Sequence, residues 1–217
     1  MRISQKHKFA YIAITKTGSS TVRHLLDKHS DIRSKTNEGD FAHHITAQKL
    51  KEVFAKNNWN WDNYLKFTFV RHPISRIYSL YKYKLRIARN LPTEYLKNHA
   101  IEFYESCIRF KDLNITFDDA VLSNEISIAP QTDWILSSDQ STVLLDKIIK
   151  IEHIANELPA IWNQLKLPLQ EISSIPKINE SPSEKSWELV LSNEAIEKLA
   201  SEYADDFELL NYSLTPE

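Results

Sequence analysis

The sequence predicts an α/β fold with three layers, in which a mainly parallel central sheet is flanked by helices. Short runs of β-branched and aromatic residues predict core strands at Lys8–Ile14, Tyr64–Val70 and Lys147–Ile151. The segments between these runs place apolar residues at helical spacing. Strands that alternate with helices favour parallel pairing through crossover connections.

The helical segments follow from start signals and periodicity. Thr46 is placed to cap a helix over Ala47–Lys56, because its hydroxyl can accept a hydrogen bond from the first turn. The other helical regions are most of Pro73–Leu122, Ala155–Leu165 and Ser192–Phe207. With 217 residues the chain can bury one sizeable core, so we expect a single domain over residues 1–217.

Composition excludes several classes of protein. A net charge of −2 argues against a dedicated nucleic-acid binder, which would carry a basic domain. Cys107 is the only cysteine, so an intrachain disulfide is impossible and a cysteine-built zinc site is disfavoured. No apolar run approaches the roughly 20 residues of a membrane span, and the first residues do not form a signal peptide. We therefore expect a cytoplasmic protein.

Gly18, one of only two glycines, separates the first strand from a helical run. Its surroundings read Lys16-Thr17-Gly18-Ser19-Ser20-Thr21. A strand, a hydroxyl-rich turn with a lysine and a helix N-terminus together make a phosphate cradle. A Walker motif would need two glycines followed by the lysine, so an ATP or GTP site is disfavoured. The alternative is an ordinary strand-to-helix turn.

A second segment points to the same chemistry. Arg71 follows the strand Tyr64–Val70, and open α/β sheets bind ligands at the carboxyl ends of their strands. Pro73 suits the first turn of a helix, on which Ser79 lies two turns along.

The two segments together resemble the nucleotide-binding signatures of PAPS-dependent sulfotransferases, where PAPS is 3′-phosphoadenosine-5′-phosphosulfate. The resemblance is strongest to the Golgi-type carbohydrate enzymes, of the heparan and chondroitin kind, and to their small bacterial relatives. It implies a P-loop-like fold. The 5′-phosphosulfate would be held by Lys16, Thr17, Gly18, Ser19, Ser20 and Thr21, and the 3′-phosphate by Arg71 and Ser79.

Weaker matches to this family follow in order along nearly the whole chain. They are Phe41–Thr46, Pro130–Ile135, Val143–Glu152, Pro176–Ser181 and Tyr203–Phe207. The resemblance implies PAPS as donor, 3′-phosphoadenosine-5′-phosphate (PAP) as product and no metal. It also implies a hydroxyl acceptor of saccharide type. The net charge argues against a nucleic-acid partner, and the apolar runs are too short to predict a membrane span.

Sulfonyl transfer needs stabilisation of the leaving phosphate and a base for the acceptor hydroxyl. Lys16 is placed for the first role. Histidine suits the second, and the resemblance aligns His44, which precedes the Thr46 cap. A slip of one residue would exchange His44 for His43. The carboxylates of Glu38 and Asp40 are further alternatives.

Two more side chains have two interpretations each. Arg76 could reach a phosphate or pair with an acidic residue such as Glu152. Trp134 could belong to the core or stack on a sugar. The helix after Pro73 is basic, and it could be a solvated face or attract an anionic acceptor. Its basic residues are Lys82, Lys84, Arg86 and Arg89.

The function that the sequence favours is transfer of a sulfonyl group from PAPS to a hydroxyl, with His44 as base and Lys16 at the leaving phosphate. One alternative is an atypical P-loop nucleotide kinase or other phosphotransferase. Against this alternative, the sequence contains no Walker motif. Apart from Glu152, it has no acidic residue at the end of a buried strand that could bind Mg²⁺. The other is a catalytically degenerate nucleotide-binding protein, against which Lys16, Arg71, Ser79 and His44 argue together.

Overall fold

A computed structural model describes residues 1–34, 36, 38–90, 101–172 and 186–214 of the chain. Its strands are β1 (Arg2–Ser4), β2 (Phe9–Ile12), β3 (Ile32–Arg33), β4 (Leu65–Val70) and β5 (Lys147–Lys150). Its α-helices are α1 (Ser19–Leu26), α2 (Ala47–Lys56), α3 (Pro73–Asn90), α4 (Ile101–Asp112), α5 (Phe117–Leu122), α6 (Thr132–Ile135), α7 (Ile154–Gln164), α8 (Asn193–Glu202) and α9 (Ala204–Leu209).

The strands form a mixed sheet in the order β3-β1-β2-β4-β5. β2 pairs with β4 and β4 with β5 in parallel, and these are the three strands that the sequence predicts. The expectation of a mainly parallel sheet needs correction, because β1 pairs antiparallel with both β2 and β3. These added strands are three and two residues long, too short to show an alternating pattern.

The described residues divide into two compact units, and the prediction of a single domain stays a prediction. The first unit contains the sheet and comprises Met1–Arg71, Ala129–Glu180 and Glu208–Asn211. The second comprises His72–Ile128, Ser181–Phe207 and Tyr212–Glu217.

One face of the sheet buries the core of the first unit. Successive strand side chains point to opposite faces, so alternate residues of β2, β4 and β5 share this face. Burying each large side chain stabilises the fold by about 1.5–3 kcal/mol. The sheet contributes Phe9, Tyr11, Phe67, Phe69 and Ile149; α1 contributes Val22, Leu25 and Leu26; α7 contributes Leu158, Ile161 and Trp162. This packing fixes the end of β2 and the start of α1, between which the predicted phosphate loop lies.

The start of α2 confirms a local prediction. The Thr46 hydroxyl accepts a hydrogen bond from the Lys49 N–H at 3.3 Å, and the helix spans the expected residues Ala47–Lys56. Phe54 on its buried face makes edge-on ring contacts with Trp59 and Tyr64. The loop before α2 therefore has a fixed end, and that loop carries both candidate histidines.

The second unit is helical in its described part. α3 begins at Pro73, as predicted. The helices α3, α4, α5 and α8 pack around a second core that includes Ile77, Phe110, Val121 and Leu199. The helix predicted over Ser192–Phe207 is two helices that separate at Tyr203, where the backbone leaves helical geometry. The Tyr203 hydroxyl there donates to the Ile128 carbonyl at 2.8 Å.

The family-like segment Pro176–Ser181 lies outside the described residues. Within the described helices, none combines the length and the apolar character that crossing a membrane requires.

Candidate active site

The predicted phosphate loop connects β2 to α1 through two residues in the left-handed region. Lys16 has φ 67° and Gly18 has φ 71°. Between them, the buried Thr17 hydroxyl donates to the Ile14 carbonyl at 3.0 Å, which closes the turn. The chain then enters α1 at Ser19. The Thr21 N–H donates to the Gly18 carbonyl at 3.0 Å. The N–H groups of Ser19 and Ser20 precede any acceptor in their own helix, so this end of α1 attracts anions.

The backbone at Gly18 passes close to Ile151. A Cβ atom added to Gly18 would lie 2.9 Å from Ile151 Cδ1 and 3.1 Å from its Cγ1. Gly39, the other glycine, also has a positive φ of 75°, but no heavy atom lies within 4 Å of an added Cβ there. Gly18 therefore meets both a conformational and a steric requirement.

The loop residues differ in what they can offer a ligand. Gly18 is exposed, and Lys16 and Ser20 are partly exposed. Thr17, Ser19 and Thr21 are buried, and the Thr17 hydroxyl is already engaged with Ile14. Lys16 and Ser20 are thus the two loop residues whose side chains are partly exposed.

Arg23 is a loop-supporting residue that the sequence interpretation missed. Its Nε donates to the Ser19 carbonyl and its Nη2 to the Ser20 hydroxyl, both at 3.1 Å. The remaining Nη1 is buried without a hydrogen-bond partner among the described residues. Burial lowers the pKa of the Arg23 guanidinium. Its place one turn after Ser19 on α1 was the available signal, since residues four apart share a helix face.

His44 is attached to the strand end from which the phosphate loop starts. Its Nδ1 lies 2.6 Å from the Ala13 carbonyl oxygen, one residue beyond β2. A carbonyl can only accept a hydrogen bond, so Nδ1 carries the hydrogen. In the neutral ring Nε2 then holds the lone pair, which is the form that a general base needs. The structure therefore brings His44 and the loop that contains Lys16 together.

His43 has a different environment. Its ring lies beside that of His44, with centroids 4.9 Å apart. Burial, and then the charge of Arg23, lowers the pKa of His43 to about 3. Its Nδ1 is buried and makes no hydrogen bond within the described chain. A group with so low a pKa accepts a proton poorly near neutral pH.

The two carboxylate alternatives lie at the surface. Asp40 pairs with the Lys56 ammonium group at 2.5 Å, and Glu38 is exposed.

Arg71 lies at the end of β4, as predicted, and its backbone is held by Gln131. The Arg71 N–H donates to Gln131 Oε1, and Gln131 Nε2 donates to the Arg71 carbonyl, each at 2.8 Å. The Gln131 side chain is fully buried. Ser79, the partner proposed for Arg71, lies on α3 in the second unit and is partly exposed.

Trp134 belongs to α6 and contacts the histidine loop. Its indole N–H donates to the His44 carbonyl at 2.9 Å. The ring is half-buried, so this tryptophan has a structural contact irrespective of any sugar stacking.

Two residues near the second signature are buried in the second unit. His72 stacks on Trp187 with ring centroids 5.4 Å apart, and its Nε2 donates to the Ser213 carbonyl. Arg76 is 1% exposed on α3, while Glu152, its proposed acidic partner, is an exposed residue of the first unit. Lys84 on α3 is also buried, and it donates to the Ser106 hydroxyl at 2.7 Å.

Among the described residues, no group of three or more histidine, cysteine, aspartate or glutamate side chains is arranged to hold a metal ion.

The family of the chain follows from comparison with known proteins. No curated protein and no solved structure gives a significant match to the chain. A model of the sulfotransferase family, however, matches residues 1–213, which includes both signatures and the histidine loop. The chain therefore belongs to the sulfotransferase family.

Proposed function

We propose that this sulfotransferase transfers the sulfonyl group of PAPS to a hydroxyl group of a saccharide, with His44 as general base. The observation that carries the proposal is the 2.6 Å contact between His44 Nδ1 and the Ala13 carbonyl. It holds the imidazole, in the tautomer whose Nε2 can accept a proton, at the start of the loop that would hold the donor.

The donor's two charged ends would be bound by different groups. The P-loop-like turn from Lys16 to Thr21 would hold the 5′-phosphosulfate through the Lys16 ammonium, the Ser20 hydroxyl and backbone N–H groups. Thr17 would contribute its N–H rather than its hydroxyl, which already donates to Ile14. Arg71 and Ser79 would hold the 3′-phosphate, for which the planar guanidinium is well suited.

The reaction follows from these placements. His44 Nε2 takes the proton of the acceptor hydroxyl while the oxygen attacks sulfur in line with the leaving phosphate. A new oxygen–sulfur bond forms, and the bond from sulfur to the 5′-phosphate oxygen breaks. Lys16 stabilises the negative charge that develops on that bridging oxygen, and PAP leaves.

The environment of the two histidines supports His44 rather than His43 in the catalytic role. Burial and the Arg23 charge hold the pKa of His43 near 3, which weakens it as a base at neutral pH. The backbone of His44 is held by Trp134, and its ring by Ala13.

The basic face of α3 supports an acidic saccharide as acceptor. Lys82 and Arg86 are partly exposed there and Arg89 is exposed, whereas Lys84 is buried. Cationic side chains along one helix raise the local concentration of anionic ligands.

The experiment is a transfer assay with ³⁵S-labelled PAPS and a panel of neutral, carboxylated and sulfated saccharides. We expect label in at least one acidic saccharide with the wild-type protein and a loss of transfer in the His44→Ala variant. Transfer of label only to alcohols other than saccharides would contradict the acceptor class. Transfer of the γ-phosphate of ATP would contradict the donor.

A further inference from the structure

One short segment contacts the backbone at both candidate functional positions. Gln131 immediately precedes α6, and Trp134 lies within it. The Gln131 amide holds the backbone of Arg71, and the Trp134 indole holds that of His44. All four residues belong to the first unit.

The Gln131 contact fixes the conformation of Arg71. Its amide accepts from the Arg71 N–H and donates to the Arg71 carbonyl, so both polar groups of one peptide residue are engaged at 2.8 Å. The side chain is 0% exposed, which excludes water as a competitor for these bonds. This pairing continues the hydrogen bonding of β4 one residue beyond its end at Val70.

The Trp134 contact completes a two-point attachment of His44. The ring is fixed through Nδ1 to Ala13, and the backbone carbonyl is fixed by the indole N–H at 2.9 Å. Two attachments limit both the backbone rotation and the ring rotation of this residue. A base held in this way keeps its lone pair in one direction, which general-base catalysis requires.

We propose that Gln131 and Trp134 are positioning residues. Through them, the segment formed by Gln131 and α6 holds both the donor-binding Arg71 and the catalytic base His44 in place. The inference rests on the proposed roles of Arg71 and His44. Gln131 acts on donor recognition through Arg71, and Trp134 acts on catalysis through His44, so the two substitutions should have different effects.

The test for Trp134 is the Trp134→Phe variant, which keeps an aromatic ring and removes the N–H donor. Loss of one such hydrogen bond predicts a fall in kcat of about tenfold, with the Kd of PAP changed less than twofold. In a His44→Ala background the same substitution should have no further effect on kcat. Trp61→Phe is the matched control, since the Trp61 ring contacts Phe54 on α2, and it should keep wild-type kcat.

The test for Gln131 uses two variants. Gln131→Glu is nearly isosteric and, when ionised, removes the donor to the Arg71 carbonyl. Gln131→Leu removes both bonds. Calorimetry should show about tenfold weaker binding of PAP and a change of less than twofold for ADP, which lacks the 3′-phosphate. In an Arg71→Ala background, neither substitution should weaken the binding of PAP further. If Gln131→Leu does not fold, Gln131→Glu still gives the comparison.

Some outcomes overturn the inference without touching the proposed function. Equal losses of PAP affinity, ADP affinity and kcat in the Gln131 and Trp134 variants would show a merely structural role. Wild-type kinetics in Trp134→Phe, together with an inactive His44→Ala, would also contradict the inference alone. Full activity of His44→Ala itself would contradict the proposed base.

Discussion

His44 Nδ1 lies 2.6 Å from the carbonyl oxygen of Ala13, the residue that follows β2. The same strand end starts the turn through Lys16 and Gly18 into α1. The proposed base and the proposed phosphate loop therefore share one rigid support, the buried core beneath β2. That arrangement leads to the predictions below.

Replacing His44 by alanine should reduce turnover strongly and leave PAP binding nearly intact. The proposed base acts on the acceptor and not on the nucleotide, and loss of one acid–base group typically costs about 10²–10⁴-fold in rate. Steady-state kinetics with labelled PAPS and calorimetry with PAP give the two numbers.

His43→Ala is the matched comparison and should be much milder. Because burial lowers the pKa of His43 to about 3, this imidazole is already neutral above pH 5. The decline of kcat/KM toward acidic pH, in the range where histidines ordinarily titrate near 6.5, should therefore persist in His43→Ala. An inactive His43→Ala beside an active His44→Ala would show that His43 is the base. If neither variant loses activity, Glu38 and Asp40 are the next residues to test.

Gly18→Ala should destabilise the fold more than Gly39→Ala. Both glycines have positive φ, so each substitution costs roughly 1–2 kcal/mol from the left-handed backbone. Only the new Cβ at position 18 would meet Ile151, at 2.9 Å. The difference in Tm between the two variants isolates this steric contribution. Gly18→Ala should also weaken the binding of PAP. Equal changes in Tm would show that Ile151 moves aside freely.

Lys16→Ala should lower kcat more than it weakens PAPS binding. Loss of a cation at the leaving phosphate is comparable to loss of an oxyanion donor, about 10²-fold in kcat. Lys8→Ala is the control, because Lys8 also has a positive φ, 52°, and lies exposed in the turn after β1. A rise in KM with an unchanged kcat would instead make Lys16 a simple phosphate anchor.

Activity should survive an excess of EDTA. The charge of PAPS can be met by Lys16, Arg71 and the N–H groups of the loop, whereas phosphoryl transfer from ATP depends on Mg²⁺. The measurement is the initial rate of sulfonyl transfer with EDTA and after addition of Mg²⁺. A complete loss of activity that Mg²⁺ restores would favour the phosphotransferase alternative.

The sequence predicted the elements with strong local signals. The three parallel strands, the Thr46 cap and the start of α3 at Pro73 all follow from residues adjacent in the chain. The antiparallel strands β1 and β3 have too few residues for a pattern. Their pairing depends on contacts between distant residues such as Arg2 and Arg33, which periodicity does not record.

In the candidate site, too, the sequence predicted residues with a local signal and missed those that depend on contacts between distant parts of the chain. Lys16, Gly18, Arg71 and His44 could be named because each follows or precedes a recognisable element. Their supports could not, because Ala13 meets His44 through a backbone carbonyl, which has no sequence signal. Gln131 contacts Arg71 across 60 positions of chain, and a buried glutamine looks like any polar loop residue until the fold is known.

Calorimetric titration with PAP, ADP and ATP in metal-free buffer tests the central claim most directly, since it requires no acceptor. PAP should bind tightly and both other nucleotides weakly, because only PAP carries the 3′-phosphate assigned to Arg71. Arg71→Ala should reduce PAP affinity by about 10–200-fold, the loss of one or two charge-assisted hydrogen bonds, and leave ADP nearly unchanged. Tight binding of ATP, or equal losses of PAP and ADP in Arg71→Ala, would contradict the account.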